Sequence, residues 1–195
     1  MKTRRLAPIL LIALTGAVLG LTGPARAQLD PFAALRNNVA RAAASGDAAR
    51  VQVLVGTGNN PNETDDSGYT GLQYAAMNGN LAMITVLVKA GARIDQRDPL
   101  GNTPLCLAAA RRQDEAAKLL IASGANLNAQ NHDGMTPLML AAQHGDLDLV
   151  RLLLAHDANP RKLDFTGRDA AGWALDSHRP AVVAAIRRAL AEAKR

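Results

Sequence analysis

A regular step runs through this chain and limits what it can fold into. Gly68, Gly101, Gly134 and Gly167 are spaced by 33, and the same step relates Thr70, Thr103 and Thr136, then Leu72, Leu105 and Leu138. Ala75-Ala76, Ala108-Ala109 and Ala141-Ala142 align, as do Val86-Leu87, Leu119-Leu120 and Leu152-Leu153. One period earlier lie Ala42-Ala43, Gly46, Val53-Leu54 and Gly58, and one period later Ala174 and Ile186. Five such units fill positions 31–195 with nothing left over. A period of this size belongs to stacked-repeat architectures, in which each unit is one supersecondary element that cannot cover its own apolar face.

The residues of one unit describe two helices. Thr-Pro opens the first, because threonine can accept from orphan first-turn amides and proline presets the first helical φ. Small alanines in that helix let the second helix and the next unit approach closely. Gly79 and Gly145 end the first helix where a left-handed residue is wanted, and Gly91 and Gly124 do so for the second. Leu81, Ile84, Leu87 and Val88 recur at helical spacing and predict one apolar face. Tyr74, Leu107, Leu140 and Trp173 share one register and are expected in the core between units.

These residues also carry a family likeness. Thr103-Pro104-Leu105, Thr136-Pro137-Leu138, the paired alanines, Gly145-Asp146-Leu147, Leu152-Leu153-Leu154 and Gly124-Ala125-Asn126-Leu127-Asn128 resemble the ankyrin repeat. The resemblance implies an all-α solenoid of helix-turn-helix units with β-hairpin-like finger loops. It divides 28–195 into a capping repeat at 31–63, internal repeats at 64–96, 97–129 and 130–162, and a second cap at 163–195. Both caps should present charge to water, with Arg36, Arg41 and Arg50 at one end and Arg179, Arg187, Arg188, Lys194 and Arg195 at the other.

Two departures stand out. The family usually places a histidine after Thr-Pro-Leu, where it bonds adjacent loops; this chain has Gln73, Cys106, Met139 and Gly172, so moderate stability is expected. The third unit has Arg112 where its neighbours have Gly79 and Gly145, and Asp114 where they have Leu81 and Leu147. Asp114 and Glu115 would begin a helix where its dipole favours acids, with mild strain at Arg112.

The resemblance further implies a binding face built from the fingers and the exposed ends of the first helices. Carried over by register, its residues are Asp66, Ser67, Tyr69, Met77 and Asn78; Pro99, Leu100, Asn102, Ala110 and Arg111; His132, Asp133, Met135, Gln143 and His144; and Phe165, Thr166 and Arg168. Tyr69, Met77, Leu100, Met135 and Phe165 are large apolar residues expected to face solvent there, which points to a protein-binding groove.

Charge adds an address. The sequence has 22 Lys plus Arg against 17 Asp plus Glu, a formal +5. Lys2, Arg4, Arg5 and Arg26 fall in the segment 1–27, which contains no acid; Leu6 to Leu21 is nearly all apolar, and Ala25-Arg26-Ala27 is a small-x-small cleavage pattern. Residues 1–27 therefore read as a cleavable secretory signal, too short for a spanning helix. The general secretory route is expected over the twin-arginine route, since Ala7-Pro8 follows Arg5. Removal leaves 18 basic and 17 acidic side chains, a charge of +1, which argues against nucleic-acid binding. With one cysteine, Cys106, no internal disulfide can form; its register makes it a buried, inert thiol.

Catalytic signatures are missing. The chain has no G-x-x-x-x-G-K-[ST], H-E-x-x-H, C-x-x-C or G-x-S-x-G. Of the four histidines only His144 and His178, nearly equivalent in adjacent units, could approach one another. The expectation is a non-catalytic, monomeric protein-binding module of the bacterial periplasm, needing no cofactor and making no stable membrane insertion after signal cleavage. Envelope stress defence, or inhibition of a toxic effector as an immunity protein, are the roles the resemblance implies. The alternative is a metal- or haem-binding periplasmic protein using His144 and His178.

Overall fold

The computed structural model describes residues 38–192; the export segment, Arg36, Lys194 and Arg195 lie outside them. Two helices fall in each period. In chain order they are α1 (Val39–Ala44), α2 (Ala48–Gly56), α3 (Gly71–Met77), α4 (Leu81–Lys89), α5 (Pro104–Ala110), α6 (Asp114–Ala122), α7 (Pro137–His144), α8 (Leu147–Ala155), α9 (Ala170–Asp176) and α10 (Pro180–Glu192). No strand forms among the described residues, whose one bridge joins Thr64 and Thr70. The fold is all-α.

Capping fixes where the first helices begin. Thr70, Thr103 and Thr136 sit in extended backbone and accept from the amides of Gln73, Cys106 and Met139, each at 3.3 Å. In the last unit Asp169 takes the threonine's place and accepts from Gly172 N at 2.7 Å. A cap of this kind is worth about 1 kcal/mol, and aspartate supplies it as well as threonine.

The turn between the two helices of a unit needs a left-handed residue. At this register φ is 77° at Gly46, 67° at Gly79, 56° at Arg112, 74° at Gly145 and 57° at His178. Glycine reaches these angles freely, whereas in arginine and histidine the Cβ crowds the carbonyl oxygen, at a cost of about 1–2 kcal/mol each. The strain expected at Arg112 is present.

The odd-numbered helices α1, α3, α5, α7 and α9 pack in one row and the even-numbered helices in a second, each helix on its sequence neighbour and on its equivalent in the next unit. Ala43, Ala76, Ala109 and Ala142 are wholly buried in the first row, while Ile84, Leu87, Leu120, Leu153 and Ile186 fill the space between rows. Each such leucine or isoleucine contributes about 1.5–3 kcal/mol by leaving water. The apolar face of α4 differs in part from the sequence expectation. Met83, Ile84 and Leu87 form it, whereas Leu81, at the first turn beside the solvent-facing joint, is 40% exposed.

Cys106 is buried and unpaired, and burial pushes its thiol pKa up. The missing family histidine is replaced in one unit. Gln73 accepts from Thr70 N at 2.7 Å and donates to the carbonyl of Gln96 in the following loop at 2.9 Å, so it links adjacent units itself.

Candidate protein-binding face

Four finger loops project between the helix pairs, and one side chain holds each of them. Asp65, Asp98, Asn131 and Asp164 recur with the period of the repeat at the finger base. Asp65 Oδ1 accepts from the amides of Ser67 and Tyr69, both at 3.0 Å; Asp98 Oδ1 from Leu100 and Asn102, both at 2.8 Å. Asn131 Oδ1 does the same for Asp133 at 3.0 Å and Met135 at 2.9 Å, and Asp164 Oδ1 for Thr166 at 2.8 Å and Arg168 at 2.9 Å. The backbone closes the same loops, from Asp65 N to Tyr69 O, Asp98 N to Asn102 O, Asn131 N to Met135 O and Asp164 N to Arg168 O. Asx turns of this kind set a loop's shape without a sheet. The period would have revealed the four residues, since they sit five before each helix cap.

The second carboxylate oxygen ties two fingers to their own units. Tyr74 donates its hydroxyl to Asp65 Oδ2 at 2.6 Å, and Trp173 donates Nε1 to Asp164 Oδ2 at 2.9 Å. Tyr74 and Trp173 are therefore half-buried, with a polar tip on the finger, rather than core residues like Leu107 and Leu140. Burial, then the bond to Asp65, pushes the Tyr74 pKa up to about 12. At Asp164 burial works against the charge, but the donors from Arg168, Thr166 and Trp173 outweigh it and hold the carboxyl below its ordinary value.

Successive fingers touch. His132 N donates to Leu100 O at 3.0 Å and Phe165 N to Asp133 O at 3.2 Å, while Asn131 Nδ2 reaches Asn102 Oδ1 at 3.0 Å. Gln130 Nε2 bridges Gly134 O at 2.7 Å and Leu163 O at 2.9 Å. The approach is close enough that a Cβ built on Gly134, at φ 79°, would lie 2.7 Å from Phe165 N. The last three fingers form one hydrogen-bonded row, and the first packs against it, where a Cβ on Gly68 would lie 2.6 Å from Pro99 Cγ.

Along this row the expected contact residues divide. Leu100 is 62% and Phe165 74% exposed. Asp66, Ser67, Pro99, His132, Asp133 and Thr166 are exposed at the finger tips, and Asn78 and Arg111 are exposed at the ends of α3 and α5. Asp66 is ion-paired with Arg41. Tyr69, Met77, Asn102, Ala110, Gln143, His144 and Arg168 are half-buried. Tyr69 leans on Tyr74 with ring centroids 5.5 Å apart, and Arg168 lies 4.1 Å over Trp173 while pairing with Asp176 at 2.8 Å.

Met135 corrects the sequence reading. It is 7% exposed and packs into the core, because it stands at the finger base, where Asn131 binds its amide and the side chain turns inward. The exposed large apolar residues of the face are Leu100 and Phe165, with Tyr69 and Met77 partly open. His144 ends α7 half-buried, and His178 is exposed in the register of Gly145, one place off. Among the described residues no three His, Cys, Asp or Glu side chains gather as a metal would need.

Paired helices stacked in two rows beside a row of tied fingers define a solenoid interaction module. A family model for ankyrin repeats (3 copies) matches residues 39–131 and 113–192. The chain belongs to the ankyrin-repeat family, whose members act in general as non-catalytic protein-binding modules. Comparison with curated proteins found no match. No described helix is long and apolar enough to cross a membrane.

Proposed function

We propose that this protein is an exported, periplasmic binding module that engages a protein partner through its finger and first-helix face, in envelope stress defence or as an inhibitor of a toxic effector. The observation that carries the reading is the hydrogen-bonded finger row, which holds Leu100 and Phe165 in water on fixed backbone. Exposed apolar side chains on pre-organised loops bind at low entropic cost. Around them stand Asp66, Ser67, Asn78, Arg111, His132 and Asp133, a polar rim of both signs.

Recovery of partners from periplasmic extract tests the reading. The chain and a Leu100→Ser/Phe165→Ser variant serve as baits, with equal helicity checked by circular dichroism. Loss of a partner from the variant bait, by at least about tenfold, supports the face; equal recovery by both baits refutes it. Cell fractionation tests the compartment, and retention of the uncleaved chain in the cytoplasm would overturn it.

A further inference from the structure

The charges of the last unit do not cancel. Residues 160–195 hold eight basic and four acidic side chains, and each acid is already engaged. Asp164 accepts from its finger and from Trp173, Asp169 caps α9, Asp176 pairs with Arg168, and Glu192 pairs with Arg188. Arg179 and Arg187 make no ion pair among the described residues. Both line, together with Leu175, His178, Pro180, Val183 and Ala184, an open groove of about 760 Å³, and among the described residues no acid lines it.

Leu175 sets the character of this groove. In the four earlier units its register holds Ala43, Ala76, Ala109 and Ala142, each wholly buried. The register faces the following unit at contact distance, since a Cβ built on Gly71 would lie 3.4 Å from Ala43 Cβ. In α9 an isobutyl side chain replaces the methyl and is 52% exposed. A further unit, or a second copy stacking in that manner, could not come so close over leucine. An apolar trough flanked by cations remains, at the end of α9 opposite its finger.

We propose that this trough binds an acidic amphipathic helix of a partner protein. Its apolar side chains would rest on Leu175, Val183 and Ala184, and its carboxylates would meet Arg187, with Arg179, whose guanidinium lies over Gly145, adding positive charge at the groove's edge. Charge complementarity selects the sign and the apolar floor selects an amphipathic segment, the helix-in-groove mode of recognition. Because the trough is separate from the finger face, either site can fail without the other.

The test uses the purified chain and a labelled helical peptide of about five turns, leucine on one face and glutamate on its flanks, with a lysine-for-glutamate twin. Fluorescence anisotropy should show saturable binding of the glutamate peptide, at least about tenfold tighter than its twin and weakened between about 50 and 300 mM salt. Arg187→Glu, on an exposed helix position, and Leu175→Asp should each weaken binding by about tenfold or more. Arg179 also packs over Gly145, so Arg179→Gln supplies the milder variant, with helicity and thermal midpoint recorded for all three. Equal binding of the two peptides, no effect of Arg187→Glu and Leu175→Asp, or loss of binding only in Leu100→Ser/Phe165→Ser would overturn the proposal. Concentration-dependent dimerisation abolished by Leu175→Asp would overturn it in favour of a second copy, and displacement of the peptide by laurate at matched affinity in favour of a small anionic amphiphile.

Discussion

The joint between the two helices is built differently in the third unit than in the fourth. In the fourth, Gly145 takes the left-handed turn, Asp146 caps α8 through a 3.2 Å bond from Leu149 N, and Leu147 enters the helix. In the third, Arg112 takes the same turn at φ 56°, Gln113 makes no cap bond, and Asp114 enters α6. Gln113 has another task. A Cβ on Gly79 would lie 2.2 Å from its Oε1, so its side chain lies over the preceding unit's glycine, as Arg179 lies over Gly145. At these three joints the joint residue and the next unit's cap residue match in size, whereas nothing lies within 4 Å of a Cβ on Gly46. A glycine leaves room for a long side chain from the next unit, whereas Arg112 faces the short Asp146, with Nε 4.0 Å from its carboxylate.

The sharpest way to break this comparison is to exchange the joint residues. Gly145→Arg places a side chain where Arg179 Cδ would lie 2.6 Å from its Cβ. The left-handed strain of about 1–2 kcal/mol then adds to the displacement of Arg179, and a loss above about 2 kcal/mol is expected by urea unfolding. Arg112→Gly should change stability by less than about 1 kcal/mol, since relief of strain is offset by the entropy glycine gains when unfolded and by the lost partner of Asp146. Equal effects from the two exchanges would mean that the joints are interchangeable.

The next effect is electrostatic. Asp114 Oδ1 and Asp146 Oδ2 are both buried without a hydrogen-bond partner. Burial, then the neighbouring Asp146, push the Asp114 pKa up to about 6, with Arg112 pulling it back. Raised above the ordinary 3.8, it gives stability that is fully present below about pH 4 and lost as pH rises through about 6. The thermal midpoint should therefore rise between pH 7 and pH 5, by on the order of 2–4 °C after solvent screening. Asp114→Asn should remove that rise. Asp164 has the opposite sign: held below its ordinary value, it gives stability that is lost as pH falls through its folded value, so both proteins should weaken in stronger acid. A midpoint identical at pH 5 and pH 7 in the parent protein would mean that burial beside Asp146 does not disfavour the Asp114 carboxylate.

Caps separate the joints by a smaller margin. Asn80 Oδ1 accepts from Met83 N at 3.0 Å, and Asn80→Ala should cost about 1 kcal/mol. Gln113→Ala removes no cap bond and should cost less than half of that, chiefly through uncovering Gly79. Matched thermal melts of the two variants decide whether the cap or the cover matters more.

Much of this was open to reading in the sequence because it repeats. The period locates Thr70, Thr103 and Thr136 as caps, the left-handed joint, and Arg112 as its strained occupant. The pairing of Asp114 with Asp146 was hidden by the same period. Their separation falls one position short of a full repeat, so no alignment column contains both, and the helix dipole expected to favour Asp114 is outweighed by a carboxylate from the next unit. Met135 was misread for a related reason. Register locates a residue on a finger, but whether its side chain faces water or core depends on how the Asx turn rotates the finger base. Leu100 and Phe165 do not recur and could be assigned only by register; their exposure comes from tips carried beyond the helices.

The smallest expected effect bears most directly on whether the third joint is a weak point. Without a side-chain cap and with an uncomfortable carboxyl at its first position, α6 should open its first turn more readily than α4 or α8, although Ala116, Ala117 and Leu120 are as deeply buried as their counterparts. One missing cap corresponds to about 1 kcal/mol, or roughly fivefold in the local opening equilibrium. Amides at the start of α6 should therefore exchange about fivefold faster than those at the start of α8 at pH 7, and the ratio should shrink at pH 5 as Asp114 takes up its proton. The pH dependence separates two causes: a missing cap alone gives a constant ratio, whereas a carboxyl at odds with Asp146 gives one that titrates. Uniform protection of the second helices at both pH values would mean that burial of the shared apolar face overrides the joint altogether.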